Sequence, residues 1–373
     1  MKLWWKAFRS TLLRMLQKPM WLMLLLSLCI MSTVYMNRSV WDLPIGLIDM
    51  DHSPASRLIA RQLNATPKVN IQRYENLPDA LHDLGLRKLF AVVLMPEDLE
   101  QKMLAGKQVT IPVYGDATNR LANGQIELDV MAAYQQVMSF YNLLLMQQQG
   151  FSAPQAQVIL SPIIGQTVDV FNPGISFAAI VFPGLLVMLL QHSLLIAGVR
   201  VNITLRSQGK PPLAVTLGAL SALIPIWLFL SVVLFGLWPW VLGYRQTAPL
   251  AELLLLTLPF QLAVLGLAKL LTECIREVER IYLSLSFVTT PVYYLSGTIW
   301  PVQSMPDWVR VISMMFPSTW GTKMIAGVNQ MGLPFSEVRE DVIILLVMGA
   351  VYATTGFLVA KLRENGWRLR STG

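Results

Sequence analysis

Charge is scarce in this sequence. Asp, Glu, Lys and Arg make up 14% of its 373 residues, against 54% hydrophobic residues and a mean hydropathy of +0.52. That balance is too apolar for a chain of this length to close around one water-soluble core. Cysteine is scarcer still: Cys29 lies inside an apolar run and Cys274 at the end of another, which excludes a disulfide-built domain. Catalytic signatures are also missing. The two Gly-Lys pairs, Gly106-Lys107 and Gly209-Lys210, lack the hydroxyl that would hold magnesium in a phosphate-cradling loop, so ATP hydrolysis by this chain is not expected. No GxSxG elbow, HExxH helix or Cys/His arrangement occurs, and His52 and His82 have no second ligand at metal spacing. No catalytic, cofactor-binding or metal-binding residue is therefore named.

What the chain has in abundance is long apolar runs. A membrane span needs about 20 mostly apolar residues, and residues 20–36, 177–199, 213–238, 250–271, 281–299 and 342–360 are six candidates. The net charge of +7 sits beside these runs rather than on one soluble face, which argues against nucleic acid and for membrane orientation. Lys2, Lys6, Arg9, Arg14 and Lys18 precede the first run without an acid among them, and Lys361, Arg363, Arg368 and Arg370 follow the last. Both ends, and the turn carrying Arg200, Arg206 and Lys210, are expected on the cytoplasmic side; residues 37–172 then fall outside. The first run lacks a small-x-small cleavage site and reads as an uncleaved anchor.

Ion-coupled transport would require a carboxylate within a span, and none is expected: Glu252 begins the fourth run, whereas Glu273 and Glu277 lie past its end. Lys269 is close enough to that end to snorkel. Gln191, His192 and Gln261 do lie within runs. They either line a substrate path or hydrogen-bond between helices.

Outside the runs, residues 1–19 put Trp4, Trp5, Phe8, Leu12, Met15 and Leu16 on one helical side and the cations on the other, an interfacial helix meeting membrane lipids on the cytoplasmic leaflet. Residues 37–172 alternate strand and helix patterns. Ser53 and Asn76 open helices, Pro96 and Gly106 bound another, and Asp49 and Asp51 sit at a strand end as turn residues. A long helical stripe follows, with Ile126, Val130, Tyr134, Val137, Tyr141 and Leu144 at helical spacing. The fifth run ends abruptly in "LSGTIWPVQSM". Gly297 and Pro301 stop the helix, Trp300 and Trp308 mark the headgroup level, and the half-apolar segment from Pro306 is too short to span. It is expected to be a re-entrant segment, residues 297–320, at the outer mouth of a pathway or a cap on the helical bundle.

Several stretches, in order along nearly the whole chain, resemble ABC-2 type exporter permeases. "GLIDMDHSPASRLIARQL" is similar to the start of that family's outer domain, and "FAVVLMPEDLEQKMLAGKQVTIPVYGDATN" to its continuation. "FNPGISFAAIVFPGLL" resembles its Asn-Pro turn and Pro-Gly pair, and Ser296, Gly297, Pro301, Met305, Pro306, Pro317 and Gly332 resemble the signature after its fifth span. The resemblance implies an α-helical membrane protein: six transmembrane helices with an extracytoplasmic α/β domain inserted between the first two, and residues 173–373 forming a five-helix bundle. It implies a translocation pathway built from two copies or a paralogue, an ABC ATPase subunit that carries ATP and magnesium, a periplasmic adaptor and a bacterial inner membrane. Members usually carry a Glu-Arg-Glu-x-Gly-Thr type turn after the second span, where the ATPase docks. Here "GVRVNITLRSQGKPPL" offers Arg200, Thr204, Arg206 and Lys210 but no acid, and Glu273 and Glu277 of the next inner turn are the candidates for the missing charge. Gly297, Trp300, Pro301 and Pro306 are the candidate mouth. A membrane-anchored sensor or scaffold is the alternative reading.

Overall fold

The computed structural model describes residues 1–34, 43–66, 69–116, 120–160, 177–209, 211–243, 246–275 and 277–371. The chain divides into two compact units, one of Met1–Ser39 with Asp169–Gly373 and one of Val40–Val168. The first begins with α1 (Lys2–Gln17), whose buried row is Ala7, Thr11 and Met15, each one turn apart. Trp4, Trp5 and Phe8 stack beside that row with ring centroids 5.4 to 6.0 Å apart. Pro19 cannot continue the helix, and after one 3-10 turn the chain resumes as α2 (Met23–Val34), the two axes differing by 56°. The bend is pinned by Trp21, whose Nε1 donates to the Met15 carbonyl at 3.2 Å.

The second unit is the α/β block. β1 (Leu43–Asp49), α3 (Pro54–Asn64), β2 (Val69–Arg73), α4 (Leu77–Gly85), β3 (Ala91–Met95), α5 (Leu99–Leu104) and β4 (Val113–Gly115) give a sheet of order β2-β1-β3-β4. β1 is parallel to both neighbours, with Ile45 opposite Ile71 and Ala91, and β4 is antiparallel to β3. Helices cover both faces: Ile45 and Leu47 share a core with Ile59 and Leu63 of α3, while Ile48 and Val92 meet Ala80 of α4. Two covered faces explain why the central strands read as unbroken apolar runs. The helical stripe is α6 (Arg120–Gln148), and Ile126, Val130 and Val137 are buried in the same core as α3; α7 (Ala153–Leu160) follows.

Local rules place the α/β helix starts. Ser53 Oγ accepts the Ser56 amide at 3.1 Å and Asn76 Oδ1 the Asp79 amide at 3.0 Å. Asp49 Oδ1 accepts the Asp51 and His52 amides at 3.2 and 3.0 Å, the turn role expected of it. Two elements are shorter than their sequence patterns. α5 begins at Leu99 rather than Pro96 because Asp98 is left-handed, φ +60°, and the Asp51 carboxylate, 3.1 Å from the Glu100 amide, opens the helix instead. β4 starts after Pro112, which has no N–H to give a ladder.

The remaining helices return to the first unit: α8 (Phe177–Ser207), α9 (Leu213–Ser221), α10 (Leu223–Val232), α11 (Trp238–Leu242), α12 (Leu250–Cys274), α13 (Val278–Leu295), α14 (Asp307–Met314), α15 (Pro317–Met331) and α16 (Phe335–Ser371). A π turn, Val233–Leu237, joins α10 to α11. α8 is the hub, with Leu186, Val187, Leu190, Leu194 and Ala197 buried among its neighbours. α12 and α16 cross backbone to backbone: a Cβ on Gly266 would overlap the Gly349 carbonyl, and one on Gly349 would lie 2.9 Å from the Leu262 carbonyl.

Among the described residues, four helices are long and apolar enough to cross a membrane: Ile180–Ser207, Leu213–Val241, Leu250–Cys274 and Phe335–Arg363. The bent pair Lys2–Gln17 with Met20–Thr33 adds a fifth if taken as one span. The run expected at 281–299 forms α13, which carries Glu279 and Arg280 in its first turn and stops at Leu295. It falls short of the same standard.

Candidate functional site

At the end of the helical unit where α8 meets α9, basic side chains tie helix ends together. Arg200 Nη1 donates to the Lys18 carbonyl at 2.6 Å, joining α8 to the bend between α1 and α2. Thr204 Oγ1 bonds back to the Arg200 carbonyl at 3.0 Å. Arg206 donates to the Thr272 and Ile275 carbonyls, and Arg363 of α16 to the Glu273 carbonyl. Two guanidiniums thus cap the last turn of α12, whose outward carbonyls carry the negative end of the helix dipole. Lys210 lies outside the described residues.

The acids expected to supply docking charge behave differently from one another. Glu273 lies inside α12 rather than past its end, is only 4% exposed, and holds Lys269 at 2.6 Å and Arg363 at 3.9 Å. Its charge is satisfied internally, and Lys269 pairs with it rather than simply snorkelling. Glu277 is exposed and pairs with Arg280 at 2.6 Å, which leaves it reachable by a partner.

The break after α13 is built around Gly297, whose φ of +88° favours glycine. Thr298 beside it packs on Gly184 of α8, so the Pro-Gly pair and the Ser-Gly pair noted in the sequence meet in space. Tyr293 Oη adds a bond to the Val181 carbonyl at 3.2 Å. Trp300 is exposed, with Nε1 3.3 Å from the Ser304 carbonyl; Pro301 and Pro306 immediately precede a 3-10 turn and α14. The segment then continues beyond residue 320, since α15 runs on to Met331. Carbonyls exposed at these helix ends are answered by side chains: Ser313 Oγ donates to Leu295 at 2.7 Å, Thr319 Oγ1 to Ser313 at 2.7 Å, Trp320 Nε1 to Met314 at 2.9 Å, and Tyr352 Oη to Met315. Irregular backbone enclosed among helices needs such partners. α14 leaves Trp308, Val311 and Ile312 exposed, while α15 is largely buried.

In the interior, Gln191 and His192 line one cavity of about 110 Å³ between α8, α12 and α13. His192 Nδ1 is bonded to Thr289 Oγ1 of α13, so its interhelical role is occupied. Gln191 Oε1 is buried and has no hydrogen-bond partner among the described residues. Gln261 is buried as well, but it is not among the residues that line this cavity.

Sequence reading missed several participants. Arg363 looked like one of many flanking cations, and nothing local to α16 signals its reach to α12. Asp341, placed just before the last run, is 1% exposed inside the helical unit and pairs with Lys323 of α15 at 2.8 Å. Among the described residues, Glu273 and Asp341 are thus carboxylates buried in the helical unit, each near a helix end. Ser318, Thr322 and Asn329, near one face of α15, also have buried side-chain oxygens without partners among the described residues.

Apolar helices long enough to cross a membrane, a glycine-centred break after α13 and capped helix ends are the features of a membrane component. Residues 19–358 match the family described as ABC-2 family transporter protein, and the chain belongs to that family. It is also similar to ABC transporter G family member 20 of Dictyostelium discoideum, 22% identical over 319 residues. That match covers 82% of this chain and 43% of the relative, so the chain spans less than half of the relative's length.

Proposed function

We propose that this chain is the permease of an ATP-driven exporter, working as a pair of copies, or with a paralogue, beside a separate ATP-hydrolysing subunit that carries ATP and magnesium. In this reading α13 is a span too, since its 18 residues rise about 27 Å at 1.5 Å each, close to the ~30 Å hydrocarbon core. Six spans then place both termini and the α8–α9 turn in the cytoplasm of a bacterial inner-membrane protein, and the α/β unit outside, where an adaptor can rest on it. Family membership carries the transport reading; the knot of helix ends supports the coupling.

A push on the α8–α9 turn reaches the α1–α2 bend through Arg200 and Lys18, α12 through Arg206, and α16 through Arg363. Closure of an ATPase pair against that turn would rock the helical unit as one body, opening a route that ends at the Gly297 break. Gln191, with its unanswered carbonyl oxygen, is the residue of the interior cavity best suited to meet a passing polar group. Co-purification tests the assembly: the permease should retain an ATPase subunit and drive ATP-dependent transport in vesicles. Uphill transport by the chain alone would refute the reading, as would labelling that puts Asp49 on the same membrane side as Arg206.

A further inference from the structure

A groove of about 1230 Å³ runs between α8–α9 and the α12–α16 pair, above the ~300 to 1,000 Å³ of ordinary small-molecule pockets. Its lining is polarised along the helix axes. One end carries Arg206, Lys269 and Arg363 around a single carboxylate, Glu273; farther along α12 and α16 the walls are apolar and small, with Leu262, Leu346, Ala350 and Ala353. From Leu262 to Glu273, α12 rises ~16 Å, about half the thickness of a hydrocarbon core.

We propose that this groove seats one anionic phospholipid of the leaflet on the α8–α9 side, its phosphate at the Arg206–Lys269–Arg363 end and its acyl chains along α12 and α16. Lys269 and Arg363 share one carboxylate, Glu273, leaving an excess of positive charge where a headgroup would lie. The Lys269 ammonium sits 5.0 Å from the Phe357 ring centroid, which holds the charge against the groove wall while the trough beyond stays apolar. An apolar helix of a second copy would enclose that excess charge with Glu273 alone to balance two cations, which is costly; a phosphate supplies the second counter-charge. The inference goes beyond the transport reading, since it needs only helices in a bilayer.

The test is native mass spectrometry of the full chain released from nanodiscs of phosphatidylcholine with a minor share of phosphatidylglycerol. The wild type should retain one phosphatidylglycerol per chain in preference to phosphatidylcholine. Ala353→Trp, which fills the trough, should remove it, and Arg363→Gln should weaken retention about fivefold. Because Arg363 also holds Glu273, a charge control outside the groove is needed: Arg339→Gln, near the other end of α16 and not part of the lining, removes one cation and should keep the lipid. Equal retention of both lipids by the wild type overturns the proposal. So does phosphatidylglycerol binding that survives Ala353→Trp, or a contact between copies that this variant disrupts while no lipid is found.

Discussion

Gly184 of α8 lies so close to Thr298 that a Cβ added at 184 would come within 2.7 Å of the Thr298 Cβ and overlap its hydroxyl. The break after α13 is therefore keyed to one turn of α8. Gly184→Ala should destabilise the helical unit by about 1–3 kcal/mol through overpacking, and Thr298→Gly in the same chain should recover part of the loss. A double-mutant cycle by thermal unfolding in detergent reads this directly. Additive losses would separate the two residues.

The α12–α16 crossing ranks its glycines. At Gly266 an added Cβ meets a backbone carbonyl that cannot swing aside, whereas at Gly236 it would meet only the Leu250 side chain, at 3.2 Å. Gly266→Ala should cost about 1–3 kcal/mol, and Gly236→Ala much less because a leucine can rotate. Thermal unfolding of the two variants under one detergent condition checks the order.

Legibility from sequence follows the range of the forces. β1 was readable at Leu43–Asp49, and so were the Ser53 and Asn76 caps, because strand pattern and capping depend on neighbours a few residues away. The Ser-Gly break was readable for the same reason. What Arg206, Arg363 and Asp341 do was not: each acts on a helix end or helix face distant in sequence, and an arginine beside an apolar run looks the same whether it meets lipid or caps a carbonyl. The entry of the chain into α8 around Asn172 and Pro173 falls outside the described residues.

Arg206 separates coupling from docking. Replacing it by glutamate puts negative charge against the carbonyl end of α12, where the helix dipole already disfavours an anion, and removes charge-assisted bonds worth about 1.5–3 kcal/mol. Arg206→Glu should lower thermal stability of the permease even without its partner and should reduce ATP-driven transport. Arg206→Lys should restore part of both. If stability is untouched and only partner binding falls, the residue is a docking contact and the clamp assignment fails.

Lys323 and Asp341 form a pair of unequal partners, and the inequality predicts which half is dispensable. The lysine side chain is 66% exposed and the aspartate 2%. Removing the lysine strands an enclosed carboxylate without its counter-charge, a loss above the ~0–1 kcal/mol of an exposed pair but, with the lysine itself in solvent, below the ~3–5 kcal/mol of a fully buried one. Removing the aspartate strands only an exposed ammonium, which can reorient along the Trp320 ring, now 5.7 Å from its centroid. Lys323→Met should therefore destabilise the helical unit more than Asp341→Asn. The double variant should recover most of the lysine variant's loss, because the neutral amide no longer needs a cation. Unfolding midpoints of the three chains decide the matter: equal losses from the single variants would mean that the lysine is as enclosed as its partner, and that α15 and α16 are held by packing rather than by this charge.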